Sequence, residues 1–134
     1  MHYLISIGSN EWREANMQQA RESLKALFAD IRFATEEETS PIDCPRQTPF
    51  TNQIADFTSD YPVTVIVSLL KELEQHAGRT EAEKKQGIIR LDIDVLACDD
   101  ICYKPQEWQR DYIKRQVNEL TRNSKTQKLN NLIT

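Results

Sequence analysis

The sequence RLDIDVL at residues 90–96 carries the clearest structural signal in the chain. Apolar and charged residues alternate along it, and alternation at period two predicts a strand with one buried face. The aliphatic side chains then enter the core, while Arg90, Asp92 and Asp94 share the opposite face. Two carboxylates this close on one face repel each other. Either Mg²⁺, which prefers hard oxygen ligands, relieves the repulsion, or the face is solvated and Arg90 balances one aspartate.

The flanking sequence predicts three more strands and three helices. Glycine permits a turn after the first strand, at Gly8-Ser9-Asn10, and Asn10 is suited to cap the helix that follows. The predicted strands are residues 2–8, 31–39, 52–58 and 90–98. The predicted helices, which have apolar residues three and four apart, are residues 13–29, 62–77 and 105–121.

Two segments lack such periodicity and are predicted as loops. Residues 40–50 contain three prolines, and residues 79–87 are charged. The resulting order of elements predicts an α+β, ferredoxin-like split βαβ sandwich (βαββαβ) with an additional C-terminal helix. Both long helices then cover one face of the sheet, and Asp92 and Asp94 lie on the face that stays open.

Composition limits the class of protein. The chain has 134 residues, of which 28% are charged and 39% hydrophobic, and this predicts one globular domain at residues 1–121 with a frayed polar tail at 122–134. No apolar run approaches the ~20 residues that span a bilayer, and no signal peptide is evident. Three cysteines, an odd number, suit a reducing cytoplasm, and the net charge of −4 argues against general nucleic-acid binding. We therefore expect a cytoplasmic protein with neither nucleic-acid nor membrane partners; the sequence does not predict its oligomeric state.

Four motifs occur in a specific order between roughly residues 3 and 100. They read YLISIGSN (3–10), PFTN (49–52), Glu74 with Gly78-Arg79, and LDID (91–94). In this order and spacing they resemble the 6-hydroxymethyl-7,8-dihydropterin pyrophosphokinases of folate biosynthesis. That family has a ferredoxin-like fold, which agrees with the fold predicted from periodicity.

The resemblance implies an enzyme that transfers pyrophosphate from ATP to the hydroxymethyl group of a reduced pterin, giving the pterin diphosphate and AMP. It implies that Asp92 and Asp94 bind two Mg²⁺ ions that bridge the ATP phosphates, with Arg79 and Arg90 as further catalytic residues. The implied pterin-binding residues are Thr39, Pro41, Ile42, Phe50 and Asn52. The implied nucleotide-binding residues are Lys71, Glu74, Lys84 and Val95.

The chain departs from the family pattern before the paired aspartates and after residue 100. Residues 86–90 read QGIIR where the family usually reads WGPRT, and Glu81 stands at a position that is basic in the family. The usual C-terminal segment, with its histidine, has no counterpart in residues 101–134. Because cations that contact the phosphates are missing, we expect reduced activity. Two alternatives stay open: a catalytically degenerate relative that binds pterin or nucleotide, and a ferredoxin-like interaction module.

Overall fold

The computed structural model describes residues 1–41 and 46–133, with side chains up to residue 122. The strands are β1 (His2–Ser9), β2 (Arg32–Phe33), β3 (Glu37–Thr39), β4 (Phe50–Thr58), β5 (Asp92–Cys98) and β6 (Ile101–Cys102). The helices are α1 (Arg13–Leu27), α2 (Val63–His76), α3 (Glu81–Lys85) and α4 (Asp111–Ile133), with a 3-10 turn at Glu107–Gln109 before α4.

The strands form one antiparallel sheet in the order β2-β4-β1-β5-β6, with β3 also paired to β4. The predicted α+β class is confirmed, and the arrangement is consistent with the predicted ferredoxin-like fold. The predicted strand at residues 31–39 exists as two short pieces, β2 and β3, which both pair with β4. The central strand β1 lies between β4 and β5, so the ends of these three strands meet.

Helices α1 and α2 cover one face of the sheet, as predicted. Their contacts with it form a core of buried residues that includes Tyr3, Ile5 and Ile7 from β1, Met17 and Leu24 from α1, and Ile66 and Leu70 from α2. Burying this apolar surface is the main source of folding free energy. The alternation of apolar residues in β1, and their spacing of three and four residues in the two helices, therefore predicted this core from the sequence.

The other face of the sheet is only half open, which corrects the expectation that it stays available. Helix α4 packs on one half of it, where Ile113 and Leu120 join Leu4, Ile54 and Leu96 in a second core. The other half, where Gly8, Asn52 and Asp94 lie, borders a cavity. The extra helix thus stabilises the sheet and also forms one wall of a pocket.

Three local predictions were wrong. The segment predicted as a loop at residues 79–87 contains α3, whose first turn is capped because the Thr80 hydroxyl accepts a hydrogen bond from the Glu83 N–H at 3.1 Å. Asn10 caps no helix; α1 begins after Trp12, which has a left-handed backbone (φ 45°). The last helix does not span residues 105–121: α4 begins at Asp111, after the 3-10 turn, and continues to Ile133. The predicted domain limits and the fraying of the tail stay predictions. No helix in the described part of the chain is long and apolar enough to cross a membrane.

Candidate functional site

The strand register brings two distant motifs into one row. Gly8 on β1 pairs with Asn52 on β4 at one side and with Asp92 on β5 at the other. Neighbouring strands lie roughly 4.8 Å apart, so Asn52 and Asp92 are about 10 Å apart across Gly8. Asp94 stands one step along β5, opposite Ser6. The predicted pterin-binding and metal-binding residues therefore share one end of the sheet.

A first cavity of about 790 Å³ lies over this row, between the sheet and the segment that leads into α4. Three of the predicted pterin-binding residues line it, namely Thr39, Phe50 and Asn52. Pro41 is half-buried beside Ser40, which also lines the cavity, and Ile42 lies outside the described residues. The cavity thus gathers most of the predicted pterin site.

Asn52 is held in place through both its side chain and its backbone. Its amide nitrogen donates to the Thr39 hydroxyl, and its backbone carbonyl accepts from the Gln116 side chain at 3.3 Å. A Cβ at position 8 would meet the Asn52 amide oxygen at 3.0 Å, so glycine leaves room for this orientation. Gly8 is part of β1 rather than the turn predicted from sequence. Its lack of a side chain leaves room for Asn52 on the neighbouring strand β4.

A second cavity, of about 670 Å³, lies at the outer edge of β5 against α2. The predicted nucleotide-binding residues Lys71, Glu74 and Val95 line it, together with Arg79. Lys84, which was assigned to the same group, lines the first cavity instead. Asp92 and Asp94 line both cavities, so the two carboxylates stand where the cavities meet.

Two protein cations neutralise the paired carboxylates. Arg79 donates to Asp92 at 2.8 Å, and Lys104 donates to Asp94 at 2.7 Å. Burial, followed by the neighbouring charge of Asp92, raises the pKa of Asp94 above its usual value. The repulsion recognised in the sequence is therefore real, and in this structure Arg79 and Lys104 relieve it.

Glu74 completes the edge of β5. Its carboxylate accepts the backbone N–H of Ile93 at 2.8 Å and pairs with Arg79 at 3.1 Å. Beyond β5 the sheet continues only through the short β6, so an edge N–H at Ile93 needs such a partner. Burial raises the pKa of Glu74, because it favours the uncharged form. Glu74 is not a solvated surface residue; it fixes the strand that carries both aspartates.

Arg90 does not share a face with the two aspartates, which corrects the opening prediction. Its guanidinium donates to Glu83 at 2.8 and 3.0 Å and lies 4.7 Å from the centre of the Trp12 ring. Arg90 is not among the described residues that line either cavity. Its catalytic role stays a prediction, and in this structure it joins α3 to the start of α1.

Asn10 anchors the segment that precedes β5. Its side chain donates to the Gly87 carbonyl at 2.7 Å and accepts from the Ile89 N–H at 2.7 Å, while its own N–H donates to the Ile89 carbonyl at 2.9 Å. The side chain is buried. Asn10 therefore holds the segment that leads into β5, the strand of the two aspartates, rather than capping a helix.

The sequence interpretation missed the contribution of the segment after β5. Lys104 reaches Asp94, and the first cavity is closed by Glu107, Arg110, Tyr112 and Arg115. The available signal was the Asp99-Asp100 turn, since a hairpin there folds the chain back along β5. The hairpin is short, with only Ala97↔Cys102 and Cys98↔Ile101 paired, and this length gives little periodicity to detect.

The donor set at the aspartates suits Mg²⁺. In residues 1–41 and 46–122 no third His, Cys, Asp or Glu joins them in a group able to hold a metal ion by itself. Mg²⁺ is commonly bound through one or two carboxylates plus water and substrate phosphates, rather than by a cage of protein ligands. Asp92 and Asp94 provide this partial set beside two substrate-sized cavities.

Comparison with known families gives one match. The sequence model of the 7,8-dihydro-6-hydroxymethylpterin-pyrophosphokinase family matches residues 4–122. The match extends past residue 100, where the motif resemblance ends, and includes the segment that closes the first cavity. Among curated proteins, no match to the chain was found.

Proposed function

The chain belongs to the 7,8-dihydro-6-hydroxymethylpterin-pyrophosphokinase family, whose members are pterin pyrophosphokinases of folate biosynthesis, and we propose that it is a Mg²⁺-dependent enzyme of this type with reduced activity. The substrates are ATP and 6-hydroxymethyl-7,8-dihydropterin, and the products are the pterin diphosphate and AMP. A cytoplasmic location and the absence of nucleic-acid partners stay predictions.

One observation carries the proposal: Asp92 and Asp94 line both cavities. A reaction between two substrates needs one group of residues that both can reach. The first cavity then takes the pterin, and the second takes the nucleotide with its phosphates toward the aspartates. Holding the two substrates in contact removes much of the entropic cost of their encounter.

The first cavity recognises the pterin through strand-borne groups. Phe50 offers an aromatic surface on which a flat heterocycle stacks, and Asn52 offers hydrogen-bonding groups to its polar edge. Because Thr39 and Gly8 already fix the Asn52 amide, little side-chain freedom is lost on binding.

The second cavity recognises the nucleotide with a different set of residues. Val95 and the aliphatic parts of its neighbours accept the base, while Lys71 and Arg79 provide positive charge for the phosphates. Glu74 keeps Arg79 at this edge of the sheet. In the reaction, the pterin hydroxyl oxygen bonds to the β-phosphorus, and the bond from that phosphorus to the oxygen bridging it to the α-phosphorus breaks. AMP leaves with that oxygen, and the hydroxyl proton passes to solvent.

Asp92 and Asp94 would hold the Mg²⁺ ions, two of which are expected with ATP. These ions supply neutralisation of the phosphate charge. Metal binding requires Arg79 and Lys104 to release the carboxylates. Each pair joins a more exposed side chain, Asp92 at 41% or Lys104 at 49%, to a more buried one, Arg79 at 17% or Asp94 at 19%, so the metal and phosphates must offset the loss of these ion pairs.

The proposed reduction in activity rests on how the loop cations are used. Arg90 is paired with Glu83 and stacked over Trp12, and Glu81 places negative charge on α3. Loss of one positioned donor to a developing phosphate charge lowers turnover by about 10²–10³-fold. A loop with these residues binds substrates without stabilising the transition state fully.

A second candidate is a relative that binds pterin and nucleotide without turnover. The specific observation in its favour is that the two metal-binding carboxylates are already neutralised by Arg79 and Lys104. Such pairs suit a site in which metal is no longer needed.

Product analysis separates the two candidates. Wild type is incubated with ATP, Mg²⁺ and the reduced pterin, and AMP and pterin diphosphate are quantified with and without a chelator. We expect equal amounts of both products, none with the chelator, and none from Asp94→Asn. Binding of both substrates without AMP would reject the enzyme and support the second candidate.

A further inference from the structure

Arg110 differs from the other arginines of the site. It follows the 3-10 turn, is half-buried and lines the first cavity. Arg79 pairs with Glu74 and Asp92, Arg90 with Glu83, and Arg115 with Glu37. In the part of the chain whose side chains are described, Arg110 is the one cavity-lining arginine without an ion pair to a carboxylate.

The surroundings hold the Arg110 guanidinium without using up its donors. Among the described residues, its side chain donates one hydrogen bond, to the Tyr112 hydroxyl at 3.4 Å, which is long, and the charge of Glu107 lies near enough to interact with it without an ion pair. Tyr112 is half-buried in the same wall. A guanidinium has five N–H donors in a planar fork, so most of them point to a ligand or to solvent.

Its position relative to the aspartates suggests what that ligand is. Lys84, Arg110 and Arg115 line the first cavity, Lys71, Arg79 and Lys104 line the second, and Asp92 and Asp94 line both. A negative group that passes from the nucleotide to the pterin thus begins beside one group of cations and ends beside the other.

We infer that Arg110 binds the pyrophosphoryl group on the pterin side, where it contacts the diphosphate of the product and the group during transfer. A planar fork matches two oxygens of a phosphate, and such charge-assisted pairs are the stronger class of hydrogen bond. The inference rests on the proposed function and adds a phosphate-binding residue from the segment after β5, beyond the residues that the motifs identify. It also explains why that segment closes the cavity with an arginine rather than with an apolar residue.

Equilibrium binding tests this residue without turnover. The probes are inorganic pyrophosphate with Mg²⁺, the pterin diphosphate, and the unphosphorylated pterin, titrated calorimetrically. We expect Arg110→Gln to weaken binding of both diphosphates by about ten- to a hundred-fold, the usual cost of a lost charged hydrogen bond, and to change pterin affinity by less than about two-fold. Arg110→Lys should be intermediate, because it keeps the charge but not the fork. Arg122→Gln, which removes an exposed arginine of α4, is the control for net charge and should behave as wild type.

Two outcomes overturn the inference: unchanged diphosphate binding by Arg110→Gln, or an equal loss for the pterin and both diphosphates, which marks a purely structural residue. Failure of the proposed function gives a different result. In that case wild type forms no AMP, yet the pyrophosphate titrations still report on Arg110.

Discussion

The two cavities that meet at Asp92 and Asp94 are built differently. In the first, the described residues proposed to contact the pterin lie mainly on strands, where cross-strand pairing and the hydrogen bond to Thr39 fix Asn52 before any ligand arrives. At the second, the charged residues are engaged with one another, Arg79 with Glu74 and Asp92, and Lys104 with Asp94. One side of the site is therefore preorganised, and the other must exchange ion pairs before metal and phosphates bind.

This difference separates recognition from chemistry. Strand residues keep their positions when loop residues change, so we expect pterin binding to survive divergence of the loop. The position of a cation on a loop depends on the carboxylates near it, and in this chain Arg90 pairs with Glu83. Only contacts that strengthen in the transition state raise the chemical rate, so we expect the loop cations to limit turnover.

The largest expected effect comes from the residues that the two cavities share. Asp92→Asn and Asp94→Asn should each weaken Mg²⁺-dependent nucleotide binding beyond detection, a loss of about 100-fold or more, because half of the carboxylate donor set disappears. Asp100→Asn, in the exposed turn after β5, is the matched control. Calorimetric titration with Mg²⁺-nucleotide measures the effect, and undiminished binding by both variants would show that the metal assignment is wrong.

Asp94→Asn should also make the metal-free protein slightly more stable at neutral pH. Burial and Asp92 raise the pKa of Asp94, so its ionised form costs folding free energy above that pKa. The advantage of Asp94→Asn should therefore vanish below the pKa of the unfolded aspartate, where both states of wild type are protonated, and be complete above the pKa of folded Asp94. Denaturant unfolding at a series of pH values measures this difference. A wild type that is more stable than the variant at pH 7 would contradict the account.

On the preorganised side, Asn52→Ala should weaken pterin binding by about 1–3 kcal/mol, the cost of stranding polar partners in a pocket. Nucleotide affinity should not change, since Asn52 lines only the first cavity. Calorimetry with an unreactive pterin analogue gives both values, and Asn118→Ala, on the exposed side of α4, serves as control. Unchanged pterin affinity would remove Asn52 from the site.

Adding cations to the segment that precedes β5 should raise activity. Ile89 lines the first cavity, so Ile89→Arg, alone or with Glu81→Arg, should raise the rate of AMP formation by about two- to ten-fold. This is less than a fully positioned donor contributes, because the new side chain lacks supporting contacts. The control is Glu72→Arg, which makes the same charge change as Glu81→Arg at an exposed position of α2. A fast wild type that these changes slow would show that Arg90, Lys84 or the C-terminal segment already supplies the charge.

The smallest effect concerns Lys104, which competes with a metal ion for Asp94. Lys104→Gln should tighten Mn²⁺ binding in the absence of nucleotide by about two- to five-fold, since a partly exposed ion pair contributes up to roughly 1 kcal/mol. Lys114→Gln is the control, as it removes an exposed lysine of α4. Weaker Mn²⁺ binding by Lys104→Gln would mean that the lysine positions Asp94 for the metal instead of competing with it.

The sequence predicted the features of the site that lie on strands and missed those that depend on loops and turns. Alternation placed Asp92, Asp94 and Asn52 on strands, and register then brought them together without further information. Glu74 was assigned to the site only through the family resemblance, and its bond to the Ile93 N–H depends on β5 being nearly an edge strand. The strand positions of the aspartates and Asn52 are set by short-range periodicity, which a sequence displays directly.

The missed features depend on long-range geometry. Lys104 reaches Asp94 through a hairpin with two paired positions on each side, and Arg110 enters the cavity because a 3-10 turn redirects the chain before α4. Arg90 leaves the face of the aspartates because α3 presents Glu83 and the left-handed backbone at Trp12 presents an aromatic ring. None of these contacts has a periodic signature.

The central claim is that pterin and nucleotide occupy separate cavities that share Asp92 and Asp94. The most direct test is a titration of the reduced pterin into protein saturated with Mg²⁺ and α,β-methylene-ATP, in which the scissile bond cannot break. The account predicts a complex with one pterin and one nucleotide per chain, and a pterin affinity at least equal to that of the nucleotide-free protein. Mutual exclusion, in which the apparent dissociation constant of the pterin rises in proportion to the nucleotide concentration, would contradict it.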